Sequence, residues 1–222
     1  MGQDQEEARR VSSAGGVFVV FEGGDGVGKT TQVDRLCAWL ANAGHDVLKT
    51  FEPGDTTVGA MIRRIVLDPA TGEMSPRAEA LLYAADKAQH IFAVVKPALQ
   101  RGAVVVCDRY VDSMLAYQGA GRALEPPEIE QIARWATEDL RPDLTVVLDA
   151  ELSDGVHAKA DKDRLESAGD VFHERTRQSF LELARRDPDR YLVLDARASR
   201  EEIAAQVAER ITQLLEVRIP QA

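Results

Sequence analysis

The 222-residue chain is poor in cysteine: its two thiols, Cys37 and Cys107, fall within apparent secondary structure at no metal-ligand spacing. That argues against a disulfide framework or a cysteine-bound metal and favours buried free thiols in a reducing compartment. Long apolar runs are missing as well. None approaches the ~20 residues of a membrane-spanning helix. The N-terminal stretch MGQDQEEARR also lacks the apolar core of a signal peptide. The chain therefore reads as cytoplasmic, with no membrane partner. Positive charge is in deficit, 27 Lys and Arg against 37 Asp and Glu, for a formal net charge of -10. Binding a phosphate backbone needs a basic surface, and the arginines here are scattered, so nucleic acid is not an expected partner. A few local cations can still hold a small anion. Internal repeats, low-complexity segments and interdomain linkers are absent too. What remains is an ordinary globular composition, 45% hydrophobic and 29% charged, in a length that fits one large domain. Residues 1 to 14 are polar and read as a disordered lead-in to a domain covering 15 to 222.

Short β-rich runs alternate with longer helical patterns, the rhythm of a parallel sheet with helices on both faces. Strands are expected at 17–22, 46–51, 103–108, 144–149 and 191–195. Helices are expected at 29–43, closed by Gly44, at 58–67, at 77–100, closed by Gly102, and at 128–140, 171–186 and 200–217. Pro97 predicts a kink late in the third of these. The stretch from Ser153 to Gly169 lacks clear periodicity, is rich in Asp and Lys, and reads as a mobile excursion.

After the first strand come Gly23, Gly24, Asp25, Gly26, Val27, Gly28, Lys29 and Thr30, followed by Thr31. This is G-x-x-x-x-G-K-[ST] in its required setting, between a strand and an amphipathic helix. The glycines let successive backbone N–H groups turn toward phosphate oxygens, and the helix N-terminus adds partial positive charge. Lys29 reaches the β- and γ-phosphates of a nucleoside triphosphate and the Thr30 hydroxyl ligates Mg²⁺. Residues 23 to 31 are thus the expected ATP-binding segment.

Three strands end in an acid: Asp108, Asp149 and Asp195. An Asp at such a strand end organises Mg²⁺ in this kind of loop protein. Asp108 is favoured because Arg109 follows it, setting a cation for a second phosphate beside an acid for the metal. Asp149 and Asp195 read better as caps of the following turn. No N-K-x-D for guanine and no L-S-G-G-Q-like signature is present, which leaves a small-molecule kinase. Such an enzyme holds two phosphorylated ligands end to end and excludes water. The segment from Ser153 to Gly169 is the expected lid.

Beyond the loop, further blocks stand in order: FEPGDT (51–56), IRRIVLD (62–68), LLYAADKAQH (81–90), CDRYVDSMLAYQGAGR (107–122), RPDLTVVLD (141–149) and DRLE (163–166). With FEGGDGVGKTTQ (21–32) they resemble bacterial thymidylate kinases (dTMP kinases) over about residues 16 to 216. The resemblance implies an α/β fold like that of nucleoside monophosphate kinases, with a five-stranded parallel sheet, helices on both faces and a mobile lid. It implies phosphoryl transfer from ATP to dTMP with Mg²⁺ in a homodimer. On this resemblance Lys29, Asp108, Arg109 and Arg164 are catalytic, and Thr30 and Asp108 serve the metal. Arg109 and Arg63 clamp the dTMP phosphate, and Asp25 receives the deoxyribose 3′-hydroxyl. Tyr83 stacks on thymine where the family usually has phenylalanine, Lys87 stands where an arginine usually reads the base, and Gln118 meets the base edge. Tyr83 and Lys87, four apart, share one helix face. Taken alone that pair would be a packing surface, and Arg63 a solvated face.

This chain departs from the family pattern in three places. R-E-P-G-G reads Phe51-Glu52-Pro53-Gly54-Asp55, which removes an arginine near the acceptor and adds an acid, so Arg64 is a candidate replacement. Lys87 offers a point charge in place of a planar fork. Gly26 occupies the loop position that can carry a catalytic arginine, so the lid must supply the charge, from Arg164 with Lys159, Lys162 and His157 as neighbours. Two other readings stay open: a kinase for a different nucleotide or nucleoside, and a nucleotide-binding protein without catalysis.

Overall fold

The β-branched runs form the sheet in this computed structural model, which describes residues 15–122, 124–151, 165 and 169–218. The strands are β1 (Val17–Gly23), β2 (Val47–Phe51), β3 (Val104–Asp108), β4 (Leu144–Asp149) and β5 (Tyr191–Asp195). They pair in parallel in the order β2-β3-β1-β4-β5. A strand covered on both faces reads as an unbroken apolar run, and Val17 to Phe21 of β1 is one. The period of two sorts its side chains. Val17, Val19 and Phe21 pack with Val33, Leu36 and Leu40 on one side, while Phe18 and Val20 pack with Ile91, Val95 and Ala98 on the other.

The helices are α1 (Lys29–Asn42), α2 (Thr57–Leu67), α3 (Pro76–His90), α4 (Lys96–Gln100), α5 (Val111–Met114), α6 (Pro126–Ala136), α7 (Asp170–Arg186) and α8 (Arg200–Arg218). Gly44 and Gly102 close the helices before them at φ 88° and 86°, the left-handed turn that favours glycine. Thr56 caps α2, its hydroxyl accepting from Gly59 N at 2.9 Å.

Three expectations change. The helix over 77–100 forms in pieces: a π-helical segment, Ile91–Val95, joins α3 to α4. Pro97 lacks an N–H and its ring crowds the carbonyl of Ala93, so the hydrogen-bond ladder widens one turn upstream. The helix expected over 128–140 stops at Ala136, because Glu138 and Asp139 take φ of 50° and 55° and Asp139 N bonds back to Arg134 O at 2.8 Å. A helical stretch in 111–121 was not anticipated; it combines α5 with a π-helical Leu115–Gly121, and its two glycines hide the helical pattern.

The topology decides where chemistry can occur. β1 has β3 on one side and β4 on the other, and Phe21 lies opposite Asp108 while Gly23 lies opposite Leu148. The chain order therefore reverses at β1, and the crevice at the carboxyl ends of these strands is where open α/β sheets bind ligands.

At the other end of β1 the backbones are in close contact. A Cβ on Gly16 would lie 2.7 Å from Leu99 Cα and 2.8 Å from Ala103 O. Gly16→Ala should therefore cost about 1–3 kcal/mol, seen as a lower urea midpoint at unchanged m-value. An unchanged midpoint would show that strand and helix separate freely here.

Candidate active site

The phosphate loop leaves β1 and enters α1 through Gly28, at φ 96°. Lys29, 6% exposed, folds back over the loop and donates to Gly23 O at 3.1 Å and Gly24 O at 2.5 Å. Burial, and then the charge of Arg109, push its ammonium down to about 8. The Thr30 hydroxyl donates to Asp108 Oδ2 at 2.8 Å. These are two hard oxygen donors side by side. Among the described residues no trio of His, Cys, Asp or Glu gathers as a metal site. Thr30 and Asp108 therefore suit Mg²⁺, which takes few protein ligands and completes its shell with phosphates and water.

Arg109 follows β3 and has the backbone of a strained turn, φ 68°. Its NH1 donates to Gly23 O at 3.0 Å and Ser113 Oγ at 3.1 Å, and its NH2 to Asp25 Oδ1 at 2.6 Å. The guanidinium carbon lies 5.2 Å over the Tyr117 ring, whose hydroxyl donates to Asp25 Oδ2 at 3.2 Å. Burial acts to raise the Asp25 pKa, but Arg109 and then Lys29 outweigh it and hold the carboxyl well below its usual range. Beneath them Glu22 is fully buried and accepts from Tyr110 N at 2.8 Å, Ser113 N at 3.1 Å and the Ser113 hydroxyl at 2.6 Å. Burial, and then Asp112, push Glu22 up to about 7.

Next to this cluster opens a cleft. Its lining includes Asp25, Arg63, Tyr83, Lys87, Arg109 and Gln118, all six residues expected around the acceptor. Arg64 is not among its lining residues. Arg63 donates to Pro53 O at 2.7 Å and lies 5.8 Å over the Phe51 ring, so the residue that replaces the family's arginine braces a second one. Asp55 accepts from the Thr50 hydroxyl at 2.5 Å. Lys87 is 2% exposed and its ammonium donates to Glu52 Oε2 at 2.6 Å. Gln118 donates to Glu79 Oε1 at 3.0 Å, and Glu79 also takes both ends of the Arg122 fork at 3.2 Å.

The two other strand-end acids behave as structure. Asp195 accepts from Arg197 N at 2.9 Å in a turn, as expected of a cap. Asp149 instead takes a two-pronged ion pair from Arg177, at 2.7 and 3.0 Å. Arg164, Lys159, Lys162 and His157 lie outside the described residues, as does most of the expected lid. Leu165 is described and forms part of the cleft wall. Sequence reasoning missed Glu22, Glu52, Ser113 and Tyr117. Each lies inside a block quoted above, yet nothing in residue type separated it from a strand end or a helix face.

With the geometry in place, the chain was compared with known proteins. The thymidylate kinase family model matches residues 21–207. The thymidylate kinase of Cutibacterium acnes is 61% identical over 201 residues, 90% of this chain and 98% of that protein. That of Clavibacter michiganensis subsp. michiganensis is 53% identical over 205 residues, 90% and 96% of the two chains. The crystal structure of thymidylate kinase from Ehrlichia chaffeensis superposes with a TM-score of 0.71 at 27% identity, covering 89% of this chain and 99% of that one. No helix among the described residues is long and apolar enough to cross a membrane.

The depressed Lys29 gives a pH test. The free loop carries the ammonium below about 8 and loses it above, whereas bound phosphates favour the charged form. Affinity for a nucleoside triphosphate should thus fall as pH rises past that value, by up to about tenfold per pH unit, with proton uptake on binding measurable by calorimetry in buffers of different ionisation heat. Constant affinity with no proton uptake would show that Lys29 keeps its proton in the empty loop.

Proposed function

The chain belongs to the thymidylate kinase family, and we propose that it performs that reaction, ATP and dTMP giving ADP and dTDP, with the residues gathered at this cleft in the following roles. The loop residues 23 to 31 hold the ATP phosphates, and Lys29 bridges toward the terminal one. Thr30 and Asp108 hold Mg²⁺, which supplies charge neutralisation between the two anionic substrates. Arg109 and Arg63 take the dTMP phosphate, Asp25 accepts the 3′-hydroxyl, Tyr83 stacks on thymine, and Lys87 and Gln118 face the base. An oxygen of the dTMP phosphate attacks the γ-phosphorus, the bond to the β–γ bridging oxygen breaks, and ADP departs with that electron pair. Gly26 brings no cation to the transferring group, so the charge there is assigned to Arg164 of the lid.

One observation carries this reading: the six acceptor residues come from the phosphate loop and four other segments far apart in sequence, yet line one cleft beside Lys29. Arg109 links the two halves, touching the loop carbonyl of Gly23 and the carboxylate of Asp25 at once. A homodimer fits the surface as well. Val58, Met61 and Ile65 are exposed on α2, with Leu81 exposed on α3 and Phe92 on the π-helical segment after it, and exposed apolar side chains of this kind suit an interface. A second copy of the chain would cover it. The cytoplasm is the location that suits a nucleotide kinase with two free thiols.

The test is ADP release from ATP and Mg²⁺ with dTMP, dUMP, dCMP and dGMP supplied separately. Strong preference for dTMP is expected, and preferred turnover of another acceptor would overturn the assignment. Lys29→Ala should abolish transfer in a folded protein. Arg109→Ala should raise the dTMP KM and lower kcat, for a loss of about 10²-fold or more in kcat/KM. An unchanged dTMP dependence would remove Arg109 from the clamp.

A further inference from the structure

Asp55 and Lys87, two of the residues that depart from the family pattern, stand at opposite ends of one hydrogen-bond chain. Asp55 Oδ2 accepts from Thr50 Oγ1 at 2.5 Å, and Thr50 Oγ1 lies 2.5 Å from His90 Nε2. His90 Nδ1 lies 2.7 Å from Glu52 Oε1, and Glu52 Oε2 accepts from Lys87 Nζ at 2.6 Å. Thr50, His90, Glu52 and Lys87 are no more than 3% exposed. Glu52 and Lys87 line the acceptor cleft, while Thr50, Asp55 and His90 stand behind it.

The protons in this chain can be counted. Glu52, paired with Lys87, is an acceptor at both oxygens, so His90 Nδ1 must donate to it. Thr50 has a single hydroxyl proton. If that proton goes to Asp55, His90 Nε2 must also donate, and the ring carries both protons. With Asp55 ionised, a neutral ring would leave two acceptors facing one another at 2.5 Å, either at Asp55–Thr50 or at Thr50–His90. Every link is made at once when a cationic His90 lies between the two carboxylates.

Other ionisable groups pack against this network. Asp86 on α3 accepts from Gly54 N at 3.0 Å through Oδ1, while its Oδ2 is buried without a hydrogen-bond partner. Burial, and then Glu52, push Asp86 up to about 6. Glu22 of β1 and Cys107 of β3 also face this end of the network, and the Tyr110 ring lies 5.9 Å from Lys87 Nζ. Lys87 has reason to need a support. An ammonium on a four-carbon stem has no fork with which to orient itself, so its place is set by what its partner carboxylate is fixed to.

We propose that Asp55 is a positioning residue for the acceptor site: through Thr50 it holds a doubly protonated His90 against Glu52, and the fixed Glu52 places the Lys87 ammonium on the cleft wall. The kinetic consequence rests on the acceptor-cleft reading above, whereas the protonation of His90 rests on the hydrogen bonds alone.

The variants are Asp55→Ala and Thr50→Val, with Thr50→Ser as the conservative control and Lys87→Ala as the reference. By ¹⁵N NMR at neutral pH the wild-type His90 ring should have both nitrogens protonated, and Asp55→Ala and Thr50→Val should lose that signature while Thr50→Ser keeps it. The dTMP KM should rise about three- to tenfold in Asp55→Ala and Thr50→Val, with the ATP KM and kcat unchanged and Thr50→Ser near wild type. Asp55 is only half-buried, so Asp55→Ala carries the test if Thr50→Val does not fold. A neutral wild-type ring overturns the proposal. So does a dTMP KM that Lys87→Ala raises and Asp55→Ala does not, with the acceptor cleft left standing. A dTMP KM that Lys87→Ala also fails to move overturns the cleft reading of Lys87 together with the proposal.

Discussion

The Arg109 side chain, 16% exposed, is where the phosphate loop, the end of β3 and the acceptor cleft are tied together. One planar fork reaches a loop carbonyl, a loop carboxylate and a hydroxyl on α5, at 3.0, 2.6 and 3.1 Å. A lysine could not do this, because a point charge cannot hold three differently directed acceptors in fixed geometry. The contact with Asp25 also explains how a carboxylate survives beside a phosphate cradle. Its charge is matched in place by Arg109, and Tyr117 closes the remaining oxygen. The two substrates of the proposed reaction would then meet at a site whose geometry is set before either arrives, which is where preorganised charge has its value.

Holding that fork in place has a backbone cost. A non-glycine residue at φ 68° is strained by about 1–3 kcal/mol, and the strain persists only if the surroundings fix it. Arg109 N is bonded to Phe21 O at 2.9 Å, and the next turn is pinned from below by Glu22 through Tyr110 and Ser113. Glu22 thus serves as the anchor for the first turn of α5, a place where a carboxylate satisfies backbone donors that the helix cannot. The same residue is the penultimate one of β1, one step before the phosphate loop, so strand, loop and clamp share a single support.

Much of this was legible in the sequence, and the reason is periodicity. A central parallel strand is apolar over most of its length, and a helix on its face repeats at 3.6, so β1, β3, β4 and α1 were recognisable with their boundaries nearly intact. The 111–121 stretch escaped because Gly119 and Gly121 lower helix propensity while tertiary contacts impose the helix, Gly121 lying so close to Phe172 that an added Cβ would be 2.5 Å from its ring. In the site, the six residues expected around the acceptor were readable as motif positions. Those that hold them were not: Glu52, His90 and Thr50 meet only because β2 lies beside the α3 terminus, a pairing no local pattern announces. Phe51 illustrates the limit in the other direction. From sequence it was a lost arginine; in the fold it is the ring on which Arg63 rests.

The chain carries a net charge of -10 yet must gather anions, and the structure shows how the conflict is confined. Each cation at the cleft already has a partner: Lys29 rests on loop carbonyls, Arg63 on Pro53 O, Arg109 on Asp25 and Lys87 on Glu52. These partners differ in kind. Carbonyls orient Lys29 and Arg63 without supplying a counter-charge. Carboxylates neutralise Arg109 and Lys87 in part, and Lys87 more completely because that pair is buried on both sides, at 2% and 1% side-chain exposure. Of the four cations, Lys87 is the one whose charge is most completely matched in place. In the proposed reaction the phosphates meet Lys29, Arg109 and Arg63 while the uncharged base faces Lys87, so the proposed polarity of the acceptor matches the way these cations are paired.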